Sequence, residues 1–117
     1  MRSISFVVVL PLLLLGNEVA SAHALLEHAN PRVGSSVSSP PRELTLWFTQ
    51  NLEAAFSGVM VTNSAGQRID TGGAHVSGNQ MSVGLRPGGT GTYRVHWKVL
   101  SVDTHTTEGN FTFRVGQ

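Results

Sequence analysis

The feature that most constrains this chain is the alternation over residues 92–101, where Tyr93, Val95, Trp97 and Val99 recur at every second position. A period of two belongs to an extended strand with one face in a core and the other in water. The same pattern returns over residues 43–50, with Leu44, Leu46 and Phe48 on one face and Thr45, Trp47 and Thr49 on the other. Residues 110–115 repeat it with Phe111, Phe113 and Val115 inward, and residues 56–62 and 80–85 read as two further strands. Between these runs lie turn formers: Asn63-Ser64-Ala65-Gly66 leading into residues 67–70, and a loop over 86–91 with a proline and three glycines. Residues 24–37 read as an extended lead-in with one short strand, broken by Asn30-Pro31 and Gly34-Ser35-Ser36, and residues 51–56 read as a single helical turn. Six or seven short strands separated by turn signals predict an all-β, immunoglobulin-like Greek-key sandwich of about seven strands.

The amino end follows different rules. Arg2 precedes an apolar run over residues 4–15, and Ala20-Ser21-Ala22 offers small residues where a signal peptidase reads. A spanning helix wants about 20 apolar residues, and Gly16-Asn17-Glu18 ends this run well short of that. We therefore expect a cleaved secretory peptide over residues 1–22, one domain over residues 23–117, no membrane insertion of the mature chain, and His23 as its first residue. A 22-residue leader leaves 95 of the 117 residues, room for one small domain. The net charge of +1 argues against nucleic acid, whose phosphates demand clustered basic residues. Zero cysteine excludes disulfides, thiol nucleophiles and thiolate metal sites.

Within that frame few residues can carry chemistry. The pairs Gly72-Gly73 and Gly88-Gly89 are turn punctuation, and no nucleophile elbow or phosphate loop is present. The constellation that stands out is His23 together with Asp103-Thr104-His105. In an extended segment residues i and i+2 face one side, so Asp103 and His105 would converge while Thr104 turns away. A free amino-terminal histidine adds its amine and its ring, which close a chelate on one metal ion. Three nitrogens and one oxygen suit tetragonal copper(II), which also tops the affinity order for such ligands; zinc, the competitor, prefers a tetrahedron. His96 reads as the outward face of its strand, His75 as a loop residue, and His28 as an extra contact for the metal. Trp47, Trp97, Phe48 and Phe111 read as core or sheet-surface residues.

The mature start His-Ala-Leu-Leu-Glu-His-Ala-Asn-Pro over residues 23–31, the strand Leu-Trp-Phe-Thr-Gln-Asn-Leu over 46–52, and the block Gly-Thr-Tyr-Arg-Val-His-Trp-Lys-Val-Leu-Ser-Val-Asp-Thr-His-Thr-Thr-Glu-Gly over 91–109 resemble the CopC copper-resistance family, also called YobA-like. The resemblance spans nearly the whole mature chain. It implies a periplasmic copper-binding β-sandwich that holds one copper(II) ion through the amine and imidazole of His23, the Asp103 carboxylate and the His105 imidazole. It also implies a carrier or buffer in copper resistance, handing metal to a CopD-like inner-membrane protein. Two departures stand out. Some family members hold copper(I) in a methionine-rich loop, whereas the corresponding stretch here, about residues 62–74, has no methionine; the mature chain has only Met60 and Met81, so no copper(I) site is expected. Several relatives also carry a glutamate where this chain has Gln50, which can orient a ligand but supplies no charge. The competing reading is a copper-dependent oxidase of the lytic polysaccharide monooxygenase type, which also uses an amino-terminal histidine on such a sandwich. Asp103 argues against it, because a carboxylate in the coordination plane fills the position oxygen would need.

Overall fold

The structure is a computed structural model and describes residues 24–116. The expected leader, its cleavage point and His23 lie outside the described residues. Eight strands form two four-stranded sheets: β1 (Leu26–Asn30), β2 (Ser36–Val37), β3 (Glu43–Phe48), β4 (Gly58–Thr62), β5 (His75–Ser77), β6 (Gln80–Gly84), β7 (Gly91–Leu100) and β8 (Thr106–Val115). The first sheet runs β1-β3-β6-β5 and the second β2-β8-β7-β4. Only β2 with β8 is parallel; the other neighbours pair antiparallel. Adjacent hairpins join only β5 to β6 and β7 to β8, while the chain changes sheets at each of the other five connections, β1 to β2, β2 to β3, β3 to β4, β4 to β5 and β6 to β7. The all-β Greek-key sandwich expected from the alternation is thus the fold observed.

The alternation decides which side of each strand is buried. Leu44, Leu46 and Phe48 of β3 face Tyr93, Val95, Trp97 and Val99 of β7 and Phe111, Phe113 and Val115 of β8 across the core, and all of them are buried. Tyr93 is fully buried, with its hydroxyl donating to the Gly89 carbonyl at 2.7 Å, so its polar tip costs little. Trp97 needs room that only a glycine opposite leaves. A Cβ on Gly109, its partner across the β7–β8 pair, would stand 2.6 Å from the indole. Phe48 closes on the same ring edge-on, at 5.1 Å and 72°.

The lead-in over residues 24–37 carries two short strands where one was expected, and β5 stands where a loop was expected, for the same reason. β1, β2 and β5 have no apolar alternation to announce them, being short or edge strands held by ladder hydrogen bonds to neighbours. His75, expected in a loop, therefore sits on β5 opposite Ser82. β8 also begins four residues earlier than its apolar half, because Thr106 to Gly109 pair with β7 as regularly as the core residues do. Residues 54–56 form the single helical turn expected within 51–56.

Candidate metal centre

Each inward-facing row of the second sheet ends at the same mouth of the sandwich, and there its chemistry changes. Along β7 the row Tyr93, Val95, Trp97, Val99 continues two residues on to Ser101, which is fully buried. Along β8 the row Val115, Phe113, Phe111, Gly109 runs back to Thr107 and, just before the strand, His105. The mouth is closed from the first sheet by residues 49–53. Leu52 donates its N–H to the Gly78 carbonyl and bridges Ser101, Glu53 donates to Leu100, and Val102 donates to Asn51. Gln50, half-buried, lies in this crossing segment.

Asp103 and His105 meet at this mouth, but by a route other than the extended segment expected. Residues 101–104 form a tight turn, in which Thr104 N–H donates to the Ser101 carbonyl at 2.8 Å and Ser101 N–H to the His105 carbonyl at 3.0 Å. Thr104 adopts φ of 73°, a left-handed conformation that a β-branched residue rarely takes. Folding the backbone back in this way brings His105 Nδ1 to 3.3 Å from Asp103 Oδ1. The two side chains remain about two-fifths exposed, 43% and 40%, so an ion from solvent can reach them.

Ser101 is the piece that sequence reasoning did not assign. Its buried hydroxyl donates to Asp103 Oδ1 and accepts the His105 N–H at 3.4 Å, so one side chain grips both arms of the turn. The Asp103 carboxyl is held below its ordinary value chiefly by this hydroxyl; desolvation opposes it as the next influence, and the His105 ring and backbone add smaller downward pulls. It is therefore an anion at neutral pH, as a ligand for a hard or borderline cation must be. The signal that would have found Ser101 is the parity of the β7 row, carried two positions past Val99.

The amino-terminal arm reaches the same mouth. Ala24 is fully buried, and its carbonyl accepts the Thr107 hydroxyl at 2.6 Å. Leu25 exchanges hydrogen bonds with Thr49, donating to Oγ1 and accepting from the backbone N–H, each at 2.9 Å.

His28 and His96 are engaged elsewhere. His28 lies on β1 stacked on Trp47, with ring centroids 4.2 Å apart and planes within 12°, on the outer side of the first sheet. It is not drawn to the mouth as an extra contact. His96 faces outward from β7, as expected, with Nδ1 2.8 Å from Asn110 Oδ1 and Nε2 3.2 Å from Glu108. Among the described residues no group of three or more His, Cys, Asp or Glu is gathered, so Asp103 and His105 need a ligand from outside them to complete a metal site.

With this geometry in view, the sequence model of the CopC domain matches residues 26–116. The chain belongs to the CopC family. The protein YobA of Escherichia coli K12 is 36% identical to it over 101 residues, covering 80% of this chain and 79% of YobA. Among solved structures, CopC from Methylosinus trichosporium OB3b superposes with a TM-score of 0.74 at 28% identity, covering 80% of this chain and 93% of that one. PcoC, described as a methionine-rich copper resistance protein of Escherichia coli, matches with a TM-score of 0.69 at 31% identity over 80% of this chain and 98% of PcoC. The resemblance read from residues 23–31, 46–52 and 91–109 is thus membership of the family itself.

Proposed function

We propose that this protein is a periplasmic copper(II) carrier or buffer serving copper resistance and homeostasis. In this reading the leader is removed after Ala22, residues 23–117 form the copper-binding domain, and His23, Asp103 and His105 hold one copper(II) ion as cargo. The observation that carries it is the meeting of Asp103 and His105 at the mouth where Thr107 also fixes Ala24. His23 precedes Ala24 by one peptide bond, so covalent geometry keeps their Cα atoms about 3.8 Å apart.

The donor set fits copper(II). The amine and imidazole of His23 would supply two nitrogens, the His105 ring a third, and the ionised Asp103 carboxylate an oxygen and one negative charge. The amine becomes a ligand only after cleavage, because an amide nitrogen shares its lone pair with the carbonyl. Family membership supports a role in copper tolerance, since PcoC and the copper resistance protein C relatives carry that function in their names. Transfer of the ion to a CopD-like inner-membrane protein follows the same family association. Among the described residues no helix is long and apolar enough to cross a membrane. Binding rather than catalysis is supported by Asp103, which would occupy the coordination position an oxidase keeps for dioxygen.

The test is calorimetric titration of the chain starting at His23 with copper(II). One equivalent should bind, His105→Ala should weaken it by orders of magnitude, and His75→Ala and His96→Ala should leave it unchanged. Equal losses in all three variants would overturn the ligand assignment, and reductant-dependent peroxide formation by the loaded protein would favour an oxidase.

A further inference from the structure

We propose that Thr107 is a positioning residue of the copper site, whose hydroxyl fixes the direction in which the chain leaves toward His23. This rests on the proposed copper(II) reading and adds a residue that touches no metal.

The Ala24 carbonyl and the Leu25 N–H belong to one planar peptide unit. That unit is held from both sheets at once. Its oxygen accepts the Thr107 hydroxyl at 2.6 Å, from the second residue of β8 in the second sheet. Its N–H donates at 2.9 Å to Thr49 Oγ1, just past the end of β3 in the first sheet. A peptide plane pinned at both its polar atoms holds the Ala24 Cα in place, and the fully buried Ala24 side chain restricts rotation about its Cα–C bond, so the Ala24 nitrogen is held in one direction. Thr107 shares the inward side of its segment with His105, two residues earlier, so the latch and the ring ligand stand on one edge of the mouth.

The residue type matters as well as its place. Thr107 continues a row of side chains that is otherwise apolar or glycine, Val115, Phe113, Phe111 and Gly109. A hydroxyl in such a half-buried position costs free energy unless it finds a partner, and strand geometry offers this one no ladder role. Its partner lies 83 residues away in sequence, on the arm. Valine would satisfy packing at this position equally well, so the hydroxyl is explained by the arm it holds.

A double-mutant cycle separates this role from simple support of the fold. Copper(II) dissociation constants are measured for the chain starting at His23 and for one starting Gly-His23, each with and without Thr107→Val, with circular dichroism melts on all four. In the His23 chain the substitution should weaken copper(II) by roughly three- to tenfold, the size of one lost hydrogen bond. The copper electron paramagnetic spectrum should shift toward that of the Gly-extended chain. In the Gly-extended background, where the amine is displaced already, Thr107→Val should cost less than about twofold, because the two changes act on one interaction. Thr107→Ser, which keeps the hydroxyl, should retain the affinity of the unmodified chain and keeps the test open if the valine variant folds poorly. Equal losses in both backgrounds, or none in either, would overturn the proposal while leaving the copper reading intact. Absence of copper(II) binding by the unmodified His23 chain would overturn both.

Discussion

Replacing Asp70 with asparagine should destabilise the fold without touching the proposed copper site. The Asp70 side chain is fully buried, with 0% of its surface exposed, and its carboxylate accepts three donors: Val61 N–H at 2.8 Å, Gly72 N–H at 3.0 Å and Arg68 Nε at 2.9 Å. It fastens β4 to the crossing segment that returns to the first sheet, where Asp70 bridges Leu85. Asparagine keeps the shape but trades one acceptor for a donor, so one backbone N–H is left facing another N–H. A buried donor without its acceptor costs about 1–3 kcal/mol, and Val61 is buried. Arg68 is 55% exposed and returns to water, so its ion pair adds little. A loss of about 2 kcal/mol at pH 7 is therefore expected, read as a urea midpoint lower by about 1–2 M.

The pH dependence carries the sign. Burial alone would raise the Asp70 carboxyl and is the largest single influence, but the Arg68, Val61 and Gly72 hydrogen bonds with the Arg68 charge together hold it below its ordinary value. A folded value below the unfolded one, near ~3.9, means the stabilisation is complete above that pH and disappears as pH falls through the folded value. The gap between wild type and Asp70→Asn should be widest at neutral pH and close in strong acid. Val61 pairs with Val95, six residues before Ser101 on β7, about 20 Å along the strand, so copper(II) affinity should be unchanged. A variant as stable as wild type at pH 7, or a gap that widens on acidification, would refute this account of Asp70.

Two further outcomes follow from the turn and the methionines. Thr104→Asn should raise stability by roughly 0.5–1 kcal/mol, a few degrees in melting temperature, because asparagine tolerates the left-handed conformation better than a β-branched residue, and a lower melting temperature would contradict the strain. In an anaerobic competition with a copper(I) chelator the chelator should win, since Met81 is buried under the first sheet while Met60 is exposed on the outer face of the second, leaving the core between their sulfurs; retention of copper(I) by the protein would contradict this.

How much of this was legible in the sequence depends on what holds each part. β3, β7 and the apolar half of β8 announce themselves because one face of each packs in the core, and packing writes an alternation into the residues. β1, β2 and β5 are held by backbone hydrogen bonds, which any side chain permits, so Leu26–Asn30 and His75–Ser77 read as lead-in and loop. At the centre, Asp103 and His105 stood out by residue type and spacing, yet the turn that joins them did not, because nothing in Asp-Thr-His marks Thr104 as left-handed. Ser101 and Thr107 carry no signal in their residue type. Their meaning lies in parity, as hydroxyls at the ends of apolar rows, and that is visible only once the strands are known to reach so far. His28, expected as an extra contact for the metal, stacks instead on the Trp47 ring, a pairing across β1 and β3 that its own sequence neighbours do not mark.

The central claim is that copper(II) is held by a site completed by the amine of His23. The most direct measurement is a pair of copper(II) titrations, on the chain starting at His23 and on one starting Gly-His23, with circular dichroism showing both folded. The extended chain keeps the imidazoles and the Asp103 carboxylate but turns the amine into an amide and opens the chelate ring. The account predicts one copper(II) bound per His23 chain with a type-2 paramagnetic spectrum, and an affinity lower by orders of magnitude for the extended chain. Equal affinities would mean that the amine is no ligand, and an intense blue colour or two tightly bound ions would contradict the site altogether.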